Sequence, residues 1–125
     1  IKMNTTIIIV GAIFGALSVI LGAFGAHAFK KFMNEEQLKN YETGIKYQMY
    51  HAILLLVIGF NADLFQNAQI ILILLSLGIL LFSFSIYGLT ITSALNKKWR
   101  ILGPITPIGG LLLVSGWFSI IINFI

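Results

Sequence analysis

Eight basic and four acidic side chains are confined to a few short stretches, and the sequence between them is long, apolar and uncharged. Thr5–Phe29 (25 residues), Tyr47–Ala62 (16), Leu64–Asn96 (33) and Ile101–Ile125 (25) contain no Asp, Glu, Lys or Arg. A helix needs about 20 mostly apolar residues to cross the hydrocarbon of a bilayer. Three of the runs exceed that. The second reaches it if its helix starts near Gly44 and Lys46 extends back to the headgroups along its apolar stem. The pattern predicts an all-α integral membrane protein, one domain over residues 1–125, with spans at about 5–28, 44–61, 69–93 and 107–125.

Composition narrows the chemistry. There is no cysteine, so disulfides, thiolate metal sites and thiol redox reactions are excluded. The net charge of +4 fits the positive-inside bias of membrane proteins, and no nucleic-acid partner is expected. Ala26-His27-Ala28 imitates a signal-peptide cleavage site. The run before it is too long for a signal core of roughly 7–15 residues, and its strongest basic cluster, Lys30 and Lys31, follows rather than precedes it, so a retained span is expected.

Spacing adds detail within this frame. Gly11, Gly15, Ser18, Gly22 and Gly25 recur at steps of four and three, a small-residue stripe that lets a second helix approach closely. Gly109 and Gly110 offer the same in the last span. Asn34 followed by Glu35, Glu36 and Gln37 reads as an N-cap with a capping box. Leu38, Tyr41 and Ile45 then share one face, which predicts a short interfacial amphipathic helix between spans one and two. Thr106-Pro107 reads as the cap and first residue of span four, with Ile101–Ile105 extended. The short second and third connections impose antiparallel neighbours, giving a four-helix transmembrane bundle. Lys30, Lys31, Lys39, Lys46, Lys97, Lys98 and Arg100 all lie in the first and third connections, which places those loops in the cytoplasm and both termini outside.

That topology brings His27, Glu42, Tyr47, Gln48, His51, Tyr87 and Thr106, from four segments, to one leaflet. His27 and His51 differ in depth by only about 4 Å at 1.5 Å per residue. Polar groups in hydrocarbon are costly unless paired, so these side chains are expected to converge, either as a hydrogen-bonded network that fixes register or as a ligand site. Zinc takes three or four ligands, and His27, His51 and Glu42 are the candidates present, so no metal is assigned. Nothing selects a haem or any other cofactor, and no serine–histidine pairing demands catalysis. The aliphatic outer halves of spans two to four carry no proton-relaying group, which weakens a transport role for a monomer. The function expected is therefore that of a non-enzymatic structural, lipid-interacting or accessory membrane protein, with membrane lipids and a homo-oligomer or larger membrane complex as partners. The alternative is a protein that binds or transports a small ligand, metal or anion through the polar cluster.

Three motifs extend this reading. Gly22-Ala23-Phe24-Gly25-Ala26-His27, Tyr41-Glu42-Thr43-Gly44 continuing to Tyr47-Gln48-Met49-Tyr50-His51-Ala52, and Gly103-Pro104-Ile105-Thr106-Pro107-Ile108-Gly109-Gly110 with Gly116-Trp117 occur in that order. With them the chain resembles the YgdD/YwdK-like family of small bacterial inner-membrane proteins, a domain of unknown function with a mitochondrial relative in animals. The resemblance covers essentially the whole chain. It implies four spans in a bacterial plasma membrane, and it carries no activity and no catalytic residue.

Overall fold

The computed structural model describes residues 2–125, and among them every regular element is helical. α1 spans Thr5–His27, α2 Glu35–Phe60, α3 Ala68–Ala94 and α4 Leu102–Asn123. Single 3₁₀ turns at Phe29–Lys31 and Ala62–Leu64 lie in the first two connections. α1, α3 and α4 are long and apolar enough to cross a membrane, and α2 is not among them. Its first half carries Glu35, Glu36, Lys39, Glu42 and Lys46, and the apolar run begins only after His51.

The helix ends follow local chemistry. Asn4 caps α1 by accepting from Ile7 N at 3.1 Å, while its own N–H reaches the Gly59 carbonyl at 2.8 Å and so ties α1 to the end of α2. Asn34 and Gln37 form the expected capping box at α2, with bonds of 2.8 and 3.0 Å. α3 ends on Asn96 in the left-handed region (φ 60°), with Lys97 N on Thr92 O and Asn96 N on Ser93 O. That pair of bonds satisfies two terminal carbonyls and turns the chain toward Lys97, Lys98 and Arg100.

Two expectations about boundaries fail, each for a physical reason. There is no separate interfacial helix, because α2 runs unbroken for 26 residues. Gly44, where span two was expected to start, instead allows contact: a Cβ there would lie 2.7 Å from Tyr87 Cε1. Its carbonyl also accepts from Ser83 Oγ at 2.7 Å, so the glycine packs α2 on α3 and the helix continues through it. Span four starts five residues before Pro107, at Leu102, and Thr106 is not its cap. Pro104 already occupies the first turn, where a missing N–H costs nothing. Pro107 leaves the carbonyl of Gly103 without its helical donor, and Gly103 is exposed at the helix end.

The helices pack mainly in chain order, α1 on α2, α2 on α3 and α3 on α4. Each pair is antiparallel. Gly25 meets Tyr41 and Gly59 meets Ile8 across the first pair; Gly116 meets Leu75 and Gly78 meets Leu113 across the last. The small-residue stripe of α1 faces α2: Gly11 sits on Ala52 and Leu55, Gly15 beside Ala52 and Gly22 beside Ile45. The apolar core, with Ile7, Phe14, Leu55, Ile58, Ile71, Leu75, Ile79 and Leu113, fills the half near both termini. A smaller cluster of Met33, Tyr41 and Tyr87 fills the other half. Outside, Ile9, Ile13, Val19, Ile53, Val57, Ile70, Ile73, Leu111, Val114, Phe118 and Ile121 are all exposed. An apolar surface on every helix is untenable in water and natural against hydrocarbon.

α3 is not uniform. Leu80–Phe84 forms a π-helical turn, which holds one more residue than an α turn and rotates the remainder of the helix about its axis. Ser83 and Tyr87 thereby face α2, while Ser85 faces α4. Gly109 of α4 lies directly against this turn, where any Cβ would overlap Phe82 N and the Leu81 carbonyl carbon. α2 and α4 both rest on α3 and leave a cleft between them, floored by Phe82.

Candidate functional site: a buried amide link and a lateral groove

The polar side chains expected to converge divide into separate groups. At the centre, Gln48 is fully buried. Its Nε2 donates to the Phe14 carbonyl of α1 at 2.8 Å, and its Oε1 accepts from Tyr87 Oη of α3 at 2.6 Å. One amide thus joins three helices, and both of its ends are satisfied where an unbonded amide would cost several kcal/mol. Tyr41, also fully buried, donates to the Leu21 carbonyl at 2.6 Å. Ser18 Oγ is buried with no partner among the described residues. A helical serine ordinarily bonds the carbonyl four residues back, here that of Phe14, which receives Gln48 instead.

His51 belongs to a second group. Its Nδ1 lies 2.6 Å from the Tyr47 carbonyl and its Nε2 lies 3.0 Å from Trp117 Nε1. A carbonyl only accepts and an indole N–H only donates. The ring is therefore the neutral tautomer with its proton on Nδ1, and both nitrogens are engaged. The link bridges α2 and α4 across the cleft. A third contact joins Ser85 Oγ and Thr106 Oγ1 at 2.6 Å, and Ser85 Oγ also lies within reach of the Leu81 and Phe82 carbonyls.

His27 does not join. It is exposed at the end of α1, beside Val19, Ile20, Ala23 and Phe24 on the outer face. At 100° per residue it lies about 200° around the helix from Gly25, which packs on Tyr41. The antiparallel register that sets Gly25 on Tyr41 and Gly15 on Ala52 also puts His27 level with Asn40, roughly 16 Å along α2 from His51, so the expected equal depth fails as well. Glu42 is exposed as well, on the far side of α2 beside Lys46. Tyr47 contributes its carbonyl, while its ring stays half-exposed against Phe82 at a centroid distance of 5.2 Å. Among the described residues, no three of His, Asp and Glu come together as metal ligands would.

The cleft between α2 and α4 is an open groove of about 600 Å³. Tyr47, His51, Phe82, Leu111, Val114 and Trp117 line most of it. Sequence reasoning took Trp117 as part of the last motif and missed its pairing with His51. The available signal was the indole N–H, which needs an acceptor when it sits in an apolar run, and His51 is the neutral acceptor at hand.

An outward apolar surface on every helix and a core tied by a few buried hydrogen bonds define a small helical membrane protein with transmembrane helices. Comparison with known proteins gives the same class and narrows it. The chain belongs to the family described as "Protein of unknown function (DUF423)", whose model matches residues 21–110. It is 41% identical over 117 residues to the UPF0382 membrane protein SH2409 of Staphylococcus haemolyticus, covering 93% of this chain and 92% of that one. It is 40% identical over 118 residues to the UPF0382 membrane protein YwdK of Bacillus subtilis, covering 92% of each. The UPF0382 membrane protein C1782.12c of Schizosaccharomyces pombe is 36% identical over 114 residues, covering 90% of this chain and 96% of that protein. No solved structure matches the chain. The resemblance drawn from the three motifs is therefore a family membership.

Proposed function

We propose that the chain is a non-enzymatic, four-span protein of the bacterial plasma membrane that holds a membrane lipid in the groove between α2 and α4. α2 is about 39 Å long at 1.5 Å per residue, enough to cross a hydrocarbon core of about 30 Å with its charged first turns among the headgroups. The basic residues of the first and third connections gather at that end and support a cytoplasmic position for it, with both termini outside. The fold is then an antiparallel transmembrane bundle.

The observation that carries the function is the groove itself. It opens sideways onto the outward apolar surface, next to exposed Leu111 and Val114. An apolar recess left empty forfeits the dispersion contacts of its lining, and the solvent available to fill it in a membrane is an acyl chain. His51 supports this reading better than a catalytic one, because Tyr47 and Trp117 occupy both of its nitrogens.

The test is lipid retention. Protein extracted in mild detergent, washed and examined by native mass spectrometry should keep a tightly held phospholipid. Val114→Trp, which fills the groove from an exposed position, should lose it while remaining folded by circular dichroism. Equal retention by Val114→Trp and by a second filling variant, Leu111→Trp, would refute the groove as the binding place.

A further inference from the structure

The groove does not stop at Thr43 and Pro107. Both residues also line a second recess of about 350 Å³, which continues toward the charged end of the bundle. Asn40, Leu89 and Thr90 line that recess and also a third one of about 340 Å³, where Glu36, Gln37 and Lys98 appear. The three share these lining residues and follow one another as a channel along α2, with α4 and then α3 as the opposite wall. Its character changes along the way, from aliphatic and aromatic beside Trp117, through Thr43 and Thr106, to amide, hydroxyl and charge at the mouth.

Its length has a counterpart in the bilayer. From Gln37 to His51 is 14 residues along one helix, about 21 Å. Half of a bilayer with its headgroups is also about 20–22 Å. The channel therefore runs the depth of one leaflet, wet at one end and dry at the other, which is the shape of an amphiphile standing upright.

The mouth carries the charges of the channel. Its two charges are opposite and come from opposite walls, Glu36 on the first turn of α2 and Lys98 on the connection after α3. We propose, resting on the lipid-holding reading above, that the channel takes a phospholipid with a zwitterionic phosphoethanolamine headgroup, its phosphate at Lys98 and its ammonium at Glu36. The primary ammonium offers three N–H donors, and the Glu36 carboxylate and the amide oxygen of Asn40 are acceptors, the Gln37 amide oxygen being engaged by the Asn34 N–H of the capping box. A quaternary ammonium has no N–H to offer these acceptors, and no aromatic side chain lines this section to cage it. A phosphoglycerol headgroup would place its one charge, the phosphate, at Lys98 and set a neutral glycerol where the ammonium meets Glu36.

Competition among headgroups tests this. The full chain is reconstituted in nanodiscs with equal amounts of phosphatidylethanolamine, phosphatidylcholine and phosphatidylglycerol, and the lipid retained after detergent extraction is identified by native mass spectrometry. The wild type should retain phosphatidylethanolamine about two- to fivefold over the other two, the range expected when one exposed charge contact decides. Glu36→Gln should bring phosphatidylethanolamine and phosphatidylglycerol to parity, and Lys98→Gln should lower retention of all three. No preference in the wild type, or one unchanged in Glu36→Gln, overturns the headgroup assignment. If Val114→Trp still lowers total retention in that case, the groove survives and only the headgroup falls. If it does not, both fall.

Discussion

Gly109 gives the sharpest energetic expectation. A methyl group added there would overlap Phe82 N and the Leu81 carbonyl carbon, and would lie 2.8 Å from Phe82 Cα. All three are backbone atoms of the π turn, so no side chain can rotate away. To bring even Phe82 Cα to an ordinary contact of about 3.4 Å, α4 must withdraw by more than half an ångström. A radial gap of 0.5–1 Å forfeits about a quarter to a half of each dispersion well. Leu113, buried on α4 one turn further on and packed against Gly78, marks what is lost. With roughly 40–60 contacts at about 0.1–0.2 kcal/mol each, the loss around one such residue comes to about 2–4 kcal/mol. Gly109→Ala should therefore lower thermal stability by several degrees, followed by intrinsic tryptophan fluorescence in detergent. Gly110→Ala is the control. Its new Cβ would meet only Phe82 Cδ1 at 3.5 Å and Cε1 at 3.7 Å, and replacing a helical glycine contributes up to about 1 kcal/mol. Equal stability of the two variants, or a worse Gly110→Ala, would refute the packing described for α3 and α4.

Other expectations rest on single bonds. Gln48→Leu strands the Phe14 carbonyl and the Tyr87 hydroxyl, and should cost about 1–2 kcal/mol by denaturation in mixed micelles, with Gln48→Leu and Tyr87→Phe less than additive. A double-mutant cycle of His51→Ala with Trp117→Phe should show coupling of about 0.6–1.7 kcal/mol, whereas His27→Ala with His51→Ala should be additive, since His27 stands outside the bundle. Ser18→Ala removes a buried hydroxyl without a partner and should raise stability by about 1 kcal/mol in the same assay. Single cysteines at Gln66 and Asn96 report orientation: an impermeant thiol reagent on intact cells should label the first and spare the second, and the reverse would invert the topology.

Much of the fold was legible because it arises from simple periodicities. Charge-free runs mark the apolar helices, and the Asn34–Gln37 capping box marks the start of α2. The steps of four and three along α1 pointed to a close-packed face, and α2 lies on that face. What escaped depends on azimuth and on competition between local rules. His27 was expected at the depth of His51, but the register of α1 on α2 sets it level with Asn40, and its phase relative to Gly25 turns it outward. Pro107 looked like a first helical residue because proline is favoured there, yet the helix begins five residues earlier, at Leu102, with Pro104 in its first turn. Gly44 looked like the start of a span, and the tight contact with Tyr87 gave it another use. The π turn has no sequence signature of its own, and without it the paths of Ser83, Ser85 and Tyr87 to different helices could not be foreseen. Trp117 was visible as a residue, but its partner was not.

The central claim is that a membrane phospholipid occupies the groove between α2 and α4. Photocrosslinking tests it in intact membranes, using a phosphatidylethanolamine with a diazirine midway along one acyl chain and mapping the adducts by peptide mass spectrometry. Adducts should concentrate on Tyr47–His51 and Gly110–Trp117 and fall sharply in Val114→Trp. Adducts spread evenly over outward positions such as Ile9, Ile13, Ile70 and Ile73, or a groove covered by a second copy of the chain and free of lipid label, would contradict it.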